Sequence, residues 1–320
     1  MPKAQRSTEF SPLVSVIVPV YLGAPYIAGT LESVLAQSFT SYEIIVVNDG
    51  SPDTKDLERV LDPYWGRIRY IVQDNRGQAG ARNTGIRESR GTFVAFLDQD
   101  DQWEPEFLSL QTGILQADPG LDVHYCDARI FGDSPKSGRR VMEFTPSNGD
   151  ATFHALLRKE CTVLNCAALS RKETVVRVGM FDESFRYGED IGLWLRIVRQ
   201  GGRVGYQRKV LARCRIRGDS VSADVARMIE GYLRVLSEIR SSPNVTPSDI
   251  EVLDRQIAAE RAVLDLMRGK EALRRDDVET AIEHFQKVNV YRRQPKITAS
   301  LFLMRYAPKI FLSLYRRAAK

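Results

Sequence analysis

Residues 13–20 read LVSVIVPV, an almost unbroken β-branched run of the kind a strand shows when both faces are covered. Between Tyr26 and Gln37 the period changes, with Ile27, Leu31, Val34 and Leu35 at helical spacing. Residues 43–47 predict a second buried strand, ended by the turn-forming run Asn48-Asp49-Gly50-Ser51-Pro52-Asp53. The pattern then predicts a charged helix over 54–61, a strand over 68–72, a loop over 74–80 and a helix over 81–88. A strand over 92–97 stops at Asp98-Gln99-Asp100-Asp101. Strand and helix alternating over a hundred residues imply a mostly parallel sheet covered on both faces.

The pattern is mixed from Trp103 onward. A helix is expected after Glu104-Pro105, a strand over 122–131, a polar loop over 132–140, and helical stretches near Phe153 and Arg171. In GEDIGLWLRIVRQ (188–200), Ile191, Trp194, Leu195 and Val198 fall at i, i+3, i+4 and i+7, and Gly201-Gly202 ends the helix. Residues 203–217 read as strands returning to the sheet. Beyond Ser222 the chain is almost wholly helical to Val290. There Gly269, Ala272, Ala281 and Phe285 fit the spacing of one tetratricopeptide-like helix pair, against the plainer reading of an ordinary helical appendage. The expected organisation is a flexible polar segment over 1–12, an α/β domain over 13–222, a helical extension over 223–294 and a basic amphipathic tail over 295–320.

Charge sharpens this division. The 320 residues carry a formal +5, yet no acidic residue follows Glu283 while nine basic ones do, which leaves residues 1–283 at −4. In the tail, Leu301, Phe302, Met304, Ile310, Phe311 and Leu314 lie among these cations. No nucleic-acid recognition motif accompanies them, so nucleic acid is not an expected partner. An interfacial helix on an anionic membrane surface over 296–320 is, at about 1 kcal/mol per basic residue near the surface. Docking of the tail on the chain's own helices or on a partner is the alternative. The N-terminus shows no apolar leader and the sequence no run of 18 apolar residues. Four cysteines without a C-x-x-C pair and three histidines exclude a zinc knuckle, a thiol redox motif and a histidine-rich metal site. The cysteines fit buried positions in a reducing compartment, and a cytoplasmic location peripheral to the membrane is expected.

Ligands of open α/β sheets sit beyond the carboxyl ends of the parallel strands. Here those ends carry Pro19-Val20-Tyr21, Asp49 and the Asp98–Asp101 cluster. In an extended segment Asp98 and Asp100 would project to one side, and unpaired carboxylates so placed would hold Mg²⁺ or Mn²⁺, with substrate phosphates completing the shell. A solvated acidic loop before the helix near Glu104 is the plainer alternative. Residues 75–85, NRGQAGARNTG, place glycines and two arginines between a strand and a helix, where backbone N–H groups can approach phosphate. This is neither G-x-G-x-x-G nor a Walker A loop, which argues against a dinucleotide oxidoreductase and a P-loop NTPase.

Five segments in order, VSVIVPVYLGAPYIAGTLESVLAQSF, EIIVVNDGSPD, NRGQAGARNTGI, FVAFLDQDD and YGEDIGLWLR, make the chain resemble a family-2 glycosyltransferase over about residues 13–222. The resemblance implies a GT-A-like, Rossmann-type mixed but mostly parallel sheet flanked by helices, here with a C-terminal helical extension. It implies metal-dependent inverting transfer from a nucleotide-diphosphate sugar, most commonly UDP-linked, to a hydroxyl of a saccharide or lipid-linked acceptor, in surface polysaccharide or glycolipid assembly. By position, Pro19, Tyr21 and Asp49 would hold base and ribose with Arg82 assisting. Asp98 would lie nearer the ribose, and Asp100 on the metal. Asp190 would be the general base, beside Glu189 on the substrate side. A carboxylate opposite the leaving group suits that role, and the first turn of a helix favours its charged form. Where relatives often carry R-x-H, this chain has Arg215-Ile216-Arg217. Arginine cannot ligate a metal but binds phosphate bidentately, so contact of Arg215 or Arg217 with the diphosphate is expected. A nucleotidyltransferase and a non-catalytic scaffold are the competing classes. The first lacks its glycine-rich signature after strand one, and the second is disfavoured by the retained Asp98, Asp100 and Asp190.

Overall fold

The computed structural model describes residues 11–218, 220, 223–243 and 245–318. The chain divides after Ala223 into two compact units. Most of the expected 1–12 segment, Asp219, Val221 and Ser222 at the expected domain end, and Lys320 of the tail lie outside the described residues.

The first unit begins β1 (Val14–Val20), α1 (Ile27–Leu35), β2 (Tyr42–Asp49), α2 (Thr54–Leu61), β3 (Arg69–Gln73), α3 (Gly77–Glu88) and β4 (Phe93–Phe96). It continues with β5 (Gln102–Trp103), α4 (Phe107–Ala117), β6 (Val123–Gly132), α5 (Phe153–Leu157), β7 (Ala168–Arg171), α6 (Lys172–Arg177), α7 (Glu189–Arg199) and β8 (Val204–Ile216). One eight-stranded sheet runs β3-β2-β1-β4-β7-β6-β8-β5. β1 pairs in parallel with β2 and with β4, so the chain winds outward to β3 and then returns on the other side of β1. That reversal opens a crevice beyond the carboxyl ends of β1 and β4. β7 lies antiparallel between β4 and β6 and makes the sheet mixed. The pattern had shown only a helical stretch near Arg171; a four-residue strand is too short to display a period.

β1 shows why a continuous apolar run was needed. Val14, Val16, Val18 and Val20 join Ile27, Leu31 and Val34 of α1 and Leu57 and Leu61 of α2 in one core. Ile17 points to the other face, where a methyl on Gly85 would collide with its Cγ2, so α3 rests on bare backbone there. α3 corrects the expected glycine-rich phosphate loop. The helix starts at Gly77, so Gly80 and Gly85 are helical residues that serve close packing. On α7 the buried set is Leu193, Trp194, Leu195 and Ile197, whereas Ile191 and Val198 are only half-buried. The helix is covered over more of its circumference than one stripe implies.

The second unit comprises α8 (Val225–Ser241), α9 (Pro247–Arg274), α10 (Val278–Arg292), α11 (Pro295–Tyr306) and α12 (Pro308–Ala318). Thr246 and Asp249 cap α9 reciprocally, and Asp277 caps α10. Ala272, Ala281, Phe285, Val288, Ile297 and Met304 form its core, and Gly269 lies against the Phe285 ring. The tail is not the single amphipathic helix expected. Pro308 divides it, and Ile297, Leu301, Met304 and Phe311 pack into the unit's own core. Phe302, Tyr306, Ile310 and Leu314 stay exposed. Among the described residues no helix is long and apolar enough to cross a membrane.

Candidate active site

The exit of β1 is built by its neighbours. Tyr21 is exposed, and its backbone N–H and C=O are bracketed by the Gln99 side-chain amide at 2.8 and 2.9 Å. Leu22 N–H donates to Ser51 Oγ and Ala24 N–H to Asp53 Oδ2, which ties this loop to the turn after β2. Asp49, at the end of β2, is only 3% exposed. Its Oδ1 accepts from Gln73 Nε2 at 2.7 Å and from the Arg76 backbone at 2.9 Å. It therefore fixes the β3–α3 turn.

Asp98 to Asp101 form a turn, closed by Asp101 N–H on Asp98 O at 3.0 Å. The period-two argument for Asp98 and Asp100 is thereby corrected, because the segment is not extended and Gln99 points back to β1. The two carboxylates are not unpaired either. Asp98 accepts from Gln78 Nε2 and Arg82 Nη2, both at 2.8 Å. Asp100 faces Arg217 Nε at 2.9 Å, and Arg217 lies 4.2 Å over the Tyr26 ring. Arg215 donates from Nε to Asp100 O at 3.1 Å and lies over the Phe131 ring at 4.3 Å. Burial and then the proximity of Asp98 raise the Asp100 carboxyl above its ordinary range, with Arg217 opposing.

Arg82 joins the two halves of the site. It is 2% exposed, and while Nη2 holds Asp98, Nη1 donates to Glu189 Oε1 at 2.7 Å. Its guanidinium stands 5.2 Å from the Phe181 ring centre. Asn165, with its amide oxygen turned toward Arg82, accepts from Nη2 at 3.1 Å. Burial works against the charge on Arg82, but Asp98, Glu189 and Asp190 outweigh it and hold the group cationic. Arg82 and Glu189 thus lie buried beneath the site, paired with each other and, through Arg82, with Asp98.

Gly188, at φ 80°, starts α7 in the left-handed region, and Glu189 and Asp190 follow in the first turn. Asp190 Oδ1 accepts from the Ile191 backbone at 2.7 Å. Burial raises its carboxyl; Arg82 pulls it down and Asp98 pushes it up, so the β4 end and the α7 start share one electrostatic field. Burial pushes Glu189 up to about 7, opposed by Arg82 and reinforced by Asp190. Gln78, Gln99, Tyr26, Phe181 and Asn165 escaped the sequence reading. Only the i, i+4 spacing of Gln78 and Arg82 could have signalled one of them, given a helix beginning at Gly77.

A family model described as glycosyl transferase family 2 matches residues 15–178. The chain is 32% identical over 234 residues to "Uncharacterized glycosyltransferase RP339" of Rickettsia prowazekii, which covers 71% of each chain. The chain belongs to glycosyltransferase family 2. It is 28% identical to the Escherichia coli UDP-Glc:alpha-D-GlcNAc-diphosphoundecaprenol beta-1,3-glucosyltransferase WfgD, over 72% of this chain and 88% of that one. Some rickettsial relatives are matched over only 33% to 36% of their length. The fold matches the mannosyltransferase PcManGT of Pyrobaculum calidifontis, solved with GDP-Man and Mn2+, at TM-score 0.63 and 20% identity, over 95% of this chain and 86% of that one. The glycosyltransferase architecture is therefore that of the GT-A enzymes.

For this family-2 enzyme a divalent cation fits the donor set. Asp98 and Asp100 present oxygen ligands only, and the desolvated Asp100 lies in the field of a second carboxylate, a cost that a hard cation relieves.

Proposed function

We propose that the chain transfers a glycosyl group with inversion from a nucleoside-diphosphate sugar, UDP-linked, to a hydroxyl of a saccharide or lipid-linked acceptor. Surface polysaccharide or glycolipid assembly at the cytoplasmic membrane face is the setting we infer. The observation that carries the reading is Arg82, whose single guanidinium spans Asp98 at the end of β4 and Glu189 beside Asp190 at the start of α7. In this reading Asp190 takes the acceptor hydroxyl proton as that oxygen bonds to the anomeric carbon. The bond from the anomeric carbon to phosphate oxygen breaks, and the nucleoside diphosphate leaves with the electron pair. A carboxylate whose burial lifts its affinity for protons is a better base than an exposed one. The β1 exit at Pro19 and Tyr21, over the Asp49-braced turn, would seat base and ribose. Asp100 would hold Mg²⁺ or Mn²⁺, with Asp98 nearer the ribose, and the ion would neutralise charge on the departing diphosphate. Arg217, and Arg215 behind it, would then turn to the diphosphate.

Asp190→Asn tests this reading. It should keep nucleotide-diphosphate affinity within about twofold while turnover falls about 10²- to 10⁴-fold, the usual worth of a positioned general base. Asp100→Ala should lose Mn²⁺-dependent nucleotide binding. Turnover retained in Asp190→Asn would remove the base assignment. Donor that binds equally well with and without Mn²⁺ would remove the metal. The names of relatives favour a UDP-linked donor and a lipid-linked acceptor in one case and GDP-mannose in another. A thermal-shift screen of nucleotide sugars with added metal decides between them.

A further inference from the structure

Behind the Asp98–Asp101 turn lies a second group of metal-ligating side chains that glycosyl transfer does not use. Asp101 is buried, and its Oδ1 accepts from the Arg215 backbone at 2.7 Å. Among the described residues no arginine, lysine or histidine forms an ion pair with it. Beside it stand Cys166, in a 3₁₀ turn over Asn165–Ala167, and Cys214, on β8, with their sulfurs 3.0 Å apart. One ligand atom from each of Asp101, Cys166 and Cys214 lies within 4.8 Å of the other two, and no other such cluster occurs among the described residues.

Each donor is held by a different rigid element. Trp103, stacked on Phe107, donates from Nε1 to Cys166 O at 2.6 Å. Cys214 is held by the pairing of β8 with β6, where it lies opposite Ile130. Asp101 is held by the turn to Asp98. Two sulfurs and one carboxylate suit a borderline-soft cation such as Zn²⁺, whereas the oxygen-only pair Asp98 and Asp100 suits Mg²⁺ or Mn²⁺.

We propose that Asp101, Cys166 and Cys214 form a binding site for a zinc-class divalent cation, separate from the donor site and independent of the donor reading above. On binding, two S–H bonds break, two protons leave to solvent and two metal–sulfur bonds form, with no electron transfer. Zn–S bonds of about 2.3 Å in a tetrahedron put sulfurs about 3.8 Å apart, so the pair opens by about 0.8 Å. Cys214 is half-buried, whereas Asp101 and Cys166 are buried. Because Arg215 follows Cys214, the ion also braces the strand end that carries Arg215 and Arg217.

The test uses the full chain, reduced with a phosphine, stripped with chelator and titrated anaerobically with Co²⁺. A sulfur-to-cobalt charge-transfer band should saturate at one equivalent, be displaced by one equivalent of Zn²⁺, and not appear with Mn²⁺. All three tryptophans lie in the first unit. Their fluorescence melting temperature should rise by about 5 °C or more at a hundredfold Zn²⁺ excess over Kd. Cys166→Ser and Cys214→Ser should each abolish the band, and Cys161→Ser should keep it. Should a serine variant fail to fold, alkylation of the wild type decides: Zn²⁺ must protect Cys166 and Cys214 but not Cys161. No band in the reduced wild type overturns the proposal, as does a band that survives both serine variants. A Cys166–Cys214 disulfide in fresh protein that gives no band after reduction also overturns it.

Discussion

Arg82→Gln is the substitution that most directly probes how this site is held together. It removes a 2%-exposed cation and leaves Asp98, Glu189 and Asp190 in one desolvated field. Removing one partner of a buried pair costs about 3–5 kcal/mol, because the surviving charges lose their compensation. The cost must depend on pH. Glu189 is already pushed up to about 7, and without Arg82 it and Asp190 go higher still. Between the ordinary carboxylate range and those raised values, the folded variant binds more protons than the unfolded chain, so its stability grows as pH falls. The penalty relative to wild type should therefore be larger near pH 8 than at pH 5. Urea unfolding followed by tryptophan fluorescence reads the first unit alone, since Trp65, Trp103 and Trp194 all lie there. Glu189→Gln on the same background should recover part of the loss in a double-mutant cycle. A loss below about 1 kcal/mol at pH 8, or one equal at both pH values, would refute the account of Arg82 as the shared counter-charge.

With Asp190 as the proposed base, the acid limb of the pH–rate profile should lie above the ordinary carboxylate range, because its carboxyl is raised. Asp98→Asn removes the neighbouring negative charge that raises Asp190 and should move that limb toward lower pH; steady-state kinetics from pH 5 to 8 shows whether it does. Gly85→Ala drives a methyl into Ile17 Cγ2 and should cost about 1–3 kcal/mol; Ile17→Ala, which removes that carbon, should make the pair less than additive in thermal melts. Replacing exposed Phe302, Tyr306 and Ile310 with serine leaves the helical core intact. It should weaken binding to vesicles containing anionic phospholipid, read by co-sedimentation, and unchanged binding would remove the membrane role of the tail.

The sequence showed most of what positions the site and less of what tunes it. The runs that became β1, β2 and β4 were legible because strands buried on both faces must be continuously apolar. The helix start at Gly77 was not, because two interior glycines lower helix propensity while close packing selects them, Gly85 against Ile17 of β1 and Gly80 against Arg76. β7 and β5 were too short for a pattern. Gln99 looked like a spacer between two aspartates, and only the turn makes it the clamp on Tyr21. Arg82 was recognisable as a site residue, but its burial and its two hydrogen bonds, to Asp98 and to Glu189, depend on elements up to 107 residues apart in sequence. Cys166 and Cys214 likewise meet across 48 residues, a separation at which no spacing rule operates. The tail misled in the other direction, since its apolar residues serve two purposes and a linear pattern cannot apportion them.

The two aspartates of the turn are held in different ways, and this difference has a chemical consequence. Asp98 rests on a cation sealed in the interior and on Gln78 one helical turn earlier, so its position is set whether or not a donor is present. Asp100 rests on Arg217, whose side chain is 18% exposed and which lies against Tyr26 at the rim of the site. Moving Arg217 from a carboxylate to a diphosphate keeps its charge paired and frees Asp100 in the same motion, whereas moving Arg82 would strand three carboxylates. Under the proposed function, an ion arriving with the donor would thus find one carboxylate that can be released and one that stays fixed. Metal affinity should accordingly fall steeply on loss of Asp100, whereas loss of Asp98 should first be felt in the geometry of the donor.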